Sequence, residues 1–228
     1  MRIIVIGGTG RCGRLVIDEL LARNHDVTAL ARNPSALGGD PRAGLTVFKG
    51  TPTSLADLRT TFTPPHTPDV VIVTLASTRA SDSPFAAPTT PPDFMTVCNK
   101  NILACMAEFG VSKTVILQAF GVGESWKNMS CALQLLMKKS NMWYTYEDHN
   151  AVERIVRDAG VRFVFVRPGR LVEGSRGDGT EEEEVRIWKD DGKGVPLMAS
   201  TTRGSVASFL VKAALGDEWD GEGVVITN

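Results

Sequence analysis

The 228-residue sequence lacks a charge bias: 25 Lys and Arg stand against 26 Asp and Glu, a formal net charge of −1. A nucleic-acid partner normally leaves a basic excess, so none is expected. There is no apolar run of about 18 residues, so no membrane-spanning helix is expected either. Met1–Gly10 is apolar but turns glycine-rich where a secretory signal would continue. Cysteine is scarce. The four present (Cys12, Cys98, Cys105 and Cys131) are too scattered for a disulfide framework, and no CxxC pair occurs. The three histidines, His25, His66 and His149, lie far apart, so no metal site is expected. A chain of this length can bury about 70% of its unfolded surface without disulfides or metal. These absences leave a soluble, cytoplasmic, enzyme-sized domain as the expectation.

What is present is alternation. Arg2–Ile6, Asp26–Ala31, Leu45–Phe48, Asp69–Leu75, Lys113–Gln118 and Val161–Val166 are short runs rich in Val, Ile, Thr and Phe. Unbroken apolar runs suit strands covered on both faces, as in a parallel sheet. Between them the spacing predicts helices over Arg11–Arg23, Ser54–Phe62, Phe94–Phe109 and Tyr146–Ala159. Ser54 and Asp57 have capping-box spacing, and Gly110 and Gly160 stand where helix C-termini need left-handed backbone. A last helix, Ser205–Leu215, and a strand, Val224–Thr227, close the chain. The pattern predicts an α/β fold: a doubly wound, Rossmann-like, mostly parallel sheet with helices on both faces. Residues 1–228 read as one dinucleotide-binding domain, with 170–204 as a small C-terminal insertion on the substrate side. Two stretches break the rhythm. Ser77–Pro92 holds four prolines directly after a core strand, which suits a functional lid or disorder, and Gly174–Glu184 carries four glutamates that read as a solvated turn.

Gly7-Gly8-Thr9-Gly10-Arg11-Cys12-Gly13 is a G-x-x-G-x-x-G run between the first strand and the first helix. Gly7 allows a tight exit, Gly10 lets backbone approach a pyrophosphate, and Gly13 lets the helix pack on the sheet. The helix start then offers free N–H groups and a positive dipole end to phosphate. NAD-specific sites place an acid near the end of the second strand to hold the ribose hydroxyls. Here that strand ends in Ala31-Arg32-Asn33, and a guanidinium suits the 2′-phosphate of NADP(H). Arg11 offers a second positive contact. With the carboxyl ends of later strands added, the candidate cofactor contacts are Gly7, Thr9, Gly10, Arg11, Cys12, Gly13, Arg32, Thr74, Ala76, Gln118 and Pro168.

These residues resemble the atypical short-chain dehydrogenase/reductases, in particular their NmrA-like and flavin/biliverdin-reductase-like branch. The resemblance rests on Gly7–Gly13, Ala31-Arg32-Asn33-Pro34, Asp69–Ala76, Phe109-Gly110-Val111-Ser112-Lys113, Gly160–Gly169 and Thr202-Arg203-Gly204-Ser205-Val206-Ala207. Ala119–Ser125, Tyr146-Glu147-Asp148-His149 and Ile226-Thr227-Asn228 also look like small fungal oxidoreductases of aromatic polyketide pathways. That likeness implies an aromatic substrate class. His149 sits where the flavin/biliverdin-reductase likeness also has a histidine.

The ordinary short-chain enzymes use Ser, Tyr and Lys, with Tyr and Lys spaced Y-x-x-x-K. Tyr146 has a suitable place, but Asn150 stands where the lysine is expected and Gln118 where the serine is expected. The local candidates for proton transfer are Tyr146, Asp148 and His149. A histidine exchanges protons near neutrality, and residues 146 and 149 share a helix face. Asp148 lies on another side, where it orients an imidazole or caps a helix. Thr74–Thr78, Gln118–Val122 and Pro168–Leu171 are candidate pocket walls. Trp126, Met129, Met137, Met142, Trp143 and Tyr144 suit either a flat aromatic substrate or core and subunit contacts, a homodimer included.

The leading expectation is an NADP(H)-dependent oxidoreductase acting on a small aromatic or quinone-like ketone. A non-catalytic NADP redox sensor and an isomerase or dehydratase using Tyr146 and His149 as acid and base are the alternatives.

Overall fold

A computed structural model describes residues 1–38, 41–63, 67–81, 83–174 and 185–228. His66 and the Glu181–Glu184 run lie outside the described residues. The first half of the chain builds β1 (Arg2–Ile6), α1 (Arg11–Ala22), β2 (Asp26–Ala31), β3 (Leu45–Lys49), α2 (Leu55–Phe62), β4 (Val70–Val73) and α3 (Phe94–Phe109). The second half adds β5 (Lys113–Leu117), α4 (Cys131–Lys139), α5 (Met142–Asp158), β6 (Arg162–Pro168), β7 (Arg170–Val172), β8 (Arg186–Trp188), β9 (Ser200–Thr202), α6 (Arg203–Leu215) and β10 (Glu222–Thr227). An eight-stranded sheet has the order β3-β2-β1-β4-β5-β6-β10-β8. All neighbours are parallel except β8, which runs antiparallel to β10 at the edge. This is the doubly wound α/β architecture, with the order reversing between β1 and β4.

The unbroken apolar runs have a direct cause. In β1, Ile3 and Val5 face one layer, where Val16, Ile17 and Leu20 of α1 pack with Val206, Phe209 and Leu210 of α6. Ile4 and Ile6 face the opposite layer, against Leu58 and Phe62 of α2, Met95, Ile102 and Met106 of α3, and Val152 and Val156 of α5. With helices on both faces, a polar residue on either side of a central strand would lose its hydration without compensation.

Local signals set several helix ends. Ser54 Oγ accepts the Asp57 N–H at 3.2 Å, but the Asp57 carboxylate accepts from Thr51 N–H at 2.9 Å, so only half of the capping box forms. Gly110 ends α3 at φ 72°, and Gly160 follows α5 at φ 69°. Two features depart from the sequence reading. α4 was not expected, because its segment carries more Met, Leu and Gln than clear periodicity; Ser130 Oγ caps it by accepting the Leu133 N–H at 3.3 Å. α5 starts at Met142, four residues before the expected Tyr146: Trp143 and Tyr144 are indifferent helix formers, and Trp143 is held by its edge-to-face contact with Trp126. The 170–204 stretch is divided: β7 pairs with β9 in a two-stranded sheet, whereas β8 joins the main sheet. Among the described residues no helix is long and apolar enough to cross a membrane.

Candidate functional site

The glycine loop is built by close contact. Gly7 has φ +91°, and a Cβ there would sit 2.8 Å from the Thr74 carbonyl carbon. A Cβ on Gly13 would run into the Gly7 carbonyl oxygen and lie 2.8 Å from both Gly8 Cα and Thr74 Oγ1. Only hydrogen fits at these two positions, and that keeps the mouth of α1 against the end of β4. Gly10 caps α1 with no side-chain hydrogen bond, and the first turn contains no acidic residue. The amino end of the helix therefore presents N–H groups and a positive dipole end uncancelled by its own side chains.

Positive charge gathers around this mouth. Arg32 is exposed just past the end of β2 and makes no ion pair among the described residues. Arg11 is exposed at the first position of α1, where one Glu173 carboxylate oxygen lies 3.0 Å away. The same oxygen lies 2.6 Å from Arg203, whose side chain is only 10% exposed at the start of α6. The sequence reading missed Arg203 as a site residue, although it lies in the Thr202–Ala207 segment that carried the family resemblance. Burial pushes the Cys12 thiol above its ordinary value despite the pull of Arg203 and Arg11, so the sulfur stays protonated. Thr74 is buried and donates through Oγ1 to the Ile6 carbonyl at 3.3 Å, while Ala76 is exposed just beyond it. Thr9 contributes its carbonyl, which accepts from Arg14 Nε at 3.1 Å. Pro168 is buried at the carboxyl end of β6.

α5 brings the proton-transfer candidates to the same edge of the sheet. The Tyr146 hydroxyl donates to the Phe120 carbonyl at 3.1 Å, and burial pushes its acidity to about 12. His149 is buried beside Arg167, and burial first, then the Arg167 charge, lowers it to about 4. The imidazole is therefore neutral at physiological pH. Asp148 is fully engaged: its two oxygens accept the Met95 N–H at 2.7 Å and the Thr96 N–H at 2.9 Å, with the Thr96 hydroxyl at 2.5 Å. It caps α3, a different helix from its own, and does not orient the His149 imidazole.

The two replacements of the ordinary catalytic pattern also have structural partners. Asn150 Oδ1 accepts the Gly123 N–H at 2.9 Å. Gln118 Oε1 accepts from Arg167 Nε at 3.0 Å, and Gln118 Nε2 donates to the His149 carbonyl at 3.4 Å. Arg167 is fully buried and also binds Glu153 at 2.6 Å and the Asp190 carboxylate. This charged knot joins β5, β6, α5 and the loop after β8 directly behind Gln118.

Above it lies an apolar wall. Met129, Met137 and Tyr146 form a buried cluster with Val122, and Trp126, Met142 and Phe120 pack against it. Trp126 meets both Trp143 and Tyr146 edge to face, with centroids at 5.5 and 6.2 Å. Tyr144, in contrast, is 52% exposed and turns toward a separate cleft with Ser77 and Arg79. The residues after β4 form a braced hairpin: Thr78 O accepts the Thr89 N–H at 2.8 Å, and Ala80 N–H donates to Ala87 O at 3.0 Å. Asn141 Nδ2 ties its tip to α5 through the Phe85 carbonyl at 2.9 Å.

No curated protein matches the chain. Solved structures do, across its whole length. ChuY, an anaerobilin reductase from Escherichia coli O157:H7, is 15% identical with a TM-score of 0.73, and 97% of it is covered. A short-chain dehydrogenase/reductase from Veillonella parvula in complex with NADP is 11% identical, with a TM-score of 0.75 and 94% covered. The oxidoreductase ylbE from Lactococcus lactis is 16% identical, with a TM-score of 0.74 and 91% covered. At these identities the likeness is one of fold. The sequence profile of a family described as NAD(P)H-binding matches residues 7–217, which includes the glycine loop and every strand from β2 to β9. The chain belongs to this NAD(P)H-binding family.

Proposed function

We propose that the chain is an NADP(H)-dependent oxidoreductase that moves hydride to or from a small aromatic or quinone-like ketone. The observation that carries the cofactor choice is Arg32, an exposed cation with no ion pair among the described residues, just past β2, where an NAD site would hold an acid. The glycine cradle, which a Cβ would fill, and the open amino end of α1 suit a dinucleotide pyrophosphate. Gly7, Thr9, Gly10, Arg11, Cys12 and Gly13 surround that group, and Thr74, Ala76, Gln118 and Pro168 border the nicotinamide side. The bound nicotinamide supplies or accepts the hydride.

This chain positions the acceptor and handles the proton. Tyr146 remains protonated and donates a hydrogen bond to a substrate oxygen in place of the Phe120 carbonyl. A phenol pushed up to about 12 is a weak acid, which fits a readily reduced acceptor whose reduced oxygen is held by the Tyr146 hydroxyl and takes its proton from water. His149 borders the pocket as a neutral imidazole, and Asp148 fixes α5 against α3. The apolar cluster around Trp126 and Met129 supports the flat aromatic class, as does the fungal resemblance. The described residues of the 170–204 stretch border the substrate side.

A second reading is a non-catalytic NADP sensor. It is favoured by Gln118 and Asn150, which hold the two ordinary catalytic positions and are both engaged in structural bonds. Incubation with NADPH or NADH and a panel of quinones, anthrones and flavins separates the two. The oxidoreductase reading expects NADPH oxidation that is lost in Tyr146→Phe or His149→Ala. Tight NADPH binding with no turnover on any acceptor supports the sensor. Arg32→Ala should weaken NADPH about tenfold or more relative to NADH, since a charge-assisted contact is lost. Equal losses for both nucleotides would refute the NADP assignment.

A further inference from the structure

α1 and α6 pack in the same layer, and each begins with an arginine: Arg11 opens α1 and Arg203 opens α6. Thr202 N–H donates to Asn228 Oδ1 at 2.7 Å just past β10, which holds the start of α6 at the carboxyl edge of the sheet. Neither helix has an acidic residue in its first turn, so neither positive helix end is offset there. One Glu173 oxygen bridges the two guanidinium groups, 2.6 Å from Arg203 and 3.0 Å from Arg11. The Arg203 side chain is nearly buried, but the carboxylate that touches it is 73% exposed, so an anion reaches this arginine from open solvent. A guanidinium offers five N–H donors, and among the described residues Arg203 has Glu173 as its one hydrogen-bond partner. The buried Arg167 meets Gln118, Glu153 and Asp190 instead. An ion pair to so exposed a carboxylate is weak and screened by salt, which makes Glu173 a replaceable occupant.

We propose that Arg203 is a cofactor-binding residue that takes the dinucleotide pyrophosphate once the nucleotide displaces Glu173, so that the start of α6 belongs to the phosphate site together with the glycine loop. The pyrophosphate docks at the amino end of α1, where Arg11 stands. It brings two negative charges and several oxygens to a pair of guanidinium forks, against the single carboxylate they now share. Burial already holds the Arg203 side chain in place, so it has little freedom left to lose on binding. This role rests on dinucleotide binding and not on turnover.

NADPH, NADH and 2′-AMP are titrated calorimetrically into the native chain and into Arg203→Gln and Arg203→Lys. Arg203→Gln should weaken NADPH and NADH alike, each about tenfold or more, because both carry the pyrophosphate. Arg203→Lys should recover part of that loss. 2′-AMP, which has the 2′-phosphate and no pyrophosphate, should bind the native chain and both variants equally. Glu173→Gln, at an exposed position, should tighten both dinucleotides severalfold at low salt without changing 2′-AMP, and Arg203→Gln in the same chain should remove most of that gain. Unchanged dinucleotide affinity in Arg203→Gln, or a loss that extends equally to 2′-AMP, overturns the assignment and leaves Arg203 as a brace for Glu173. If Arg203→Gln melts early, Glu173→Gln decides: no gain for either dinucleotide overturns it. The expected binding pattern without turnover of any acceptor keeps Arg203 and loses the oxidoreductase reading; turnover with affinities indifferent to Arg203 does the reverse.

Discussion

Arg203, nearly buried at the start of α6, holds the exposed carboxylate of Glu173 at 2.6 Å, and that same oxygen reaches Arg11 at 3.0 Å. A single carboxylate thus links two cations from different elements at the rim of the glycine loop. On the proposed cofactor placement a dinucleotide pyrophosphate would bring the same kind of charge to this rim, and Glu173 would compete with it. Glu173→Gln should raise NADPH affinity severalfold at low salt, with the gain shrinking as salt is added. Calorimetric titration at two salt concentrations checks this; unchanged or weaker binding would show that the carboxylate only braces the rim.

Gly13 is irreplaceable for a geometric reason. A methyl group there meets the Gly7 carbonyl, Gly8 and Thr74 Oγ1 together, and all but the last are backbone. Gly13→Ala should cost about 1–3 kcal/mol, the usual range for forced overpacking, and should weaken nucleotide binding as α1 shifts off the sheet. Urea unfolding midpoints and NADPH titration measure the two effects. A variant with native stability and native affinity would show that the loop yields easily.

His149 ties stability to pH. Its ordinary value near 6.5 in the unfolded chain falls to about 4 in the folded one. Between those values the unfolded chain binds the extra proton and the folded chain refuses it. Stability is therefore intact above about pH 6.5 and declines as pH falls toward about 4, by about 3 kcal/mol from this group. His149→Gln should flatten that acid limb in a series of denaturant melts. Parallel limbs for the native chain and the variant would assign the decline to other groups.

Arg167 has no exposed surface and faces Gln118, Glu153 and Asp190. Arg167→Met removes the cation and leaves two carboxylates poorly compensated inside the fold. The expected loss is about 3–5 kcal/mol, and the variant should also let His149 titrate higher, because the neighbouring positive charge is gone. Denaturant unfolding and histidine NMR titration follow the two consequences. A loss under about 1 kcal/mol would mean that the knot relaxes or admits water.

Much of the architecture was legible in the chain because its causes are local. Arg2–Ile6 reads as a buried strand from five residues, and Gly7, Gly10 and Gly13 mark a strand-to-helix turn by spacing alone. Gly110 and Gly160 announce helix ends for the same reason. α4 and β8 were not legible. The first has little periodicity to distinguish it, and the second is three residues long and owes its place to β10, 39 positions away at Trp188 and Thr227. The site divides along the same line. Arg32 could be placed by its distance from the glycines, the departure at Asn150 could be counted from Tyr146, and that at Gln118 could be read from the end of the fifth strand.

The sequence by itself determined the order of the six parallel strands up to β6 and of the helices other than α4, the glycine cradle and the positive end of β2, because each depends on neighbours within a few residues. The tertiary structure decided what the polar side chains do. It sent Asp148 to cap α3 across 53 positions, set Arg11 on Glu173 across 162, and left Ser77 Oγ and Arg79 Nε buried without a partner among the described residues. Those outcomes depend on which surfaces the sheet topology brings together, and on the cost of leaving charge or hydrogen-bonding groups dry, neither of which has a period along the chain.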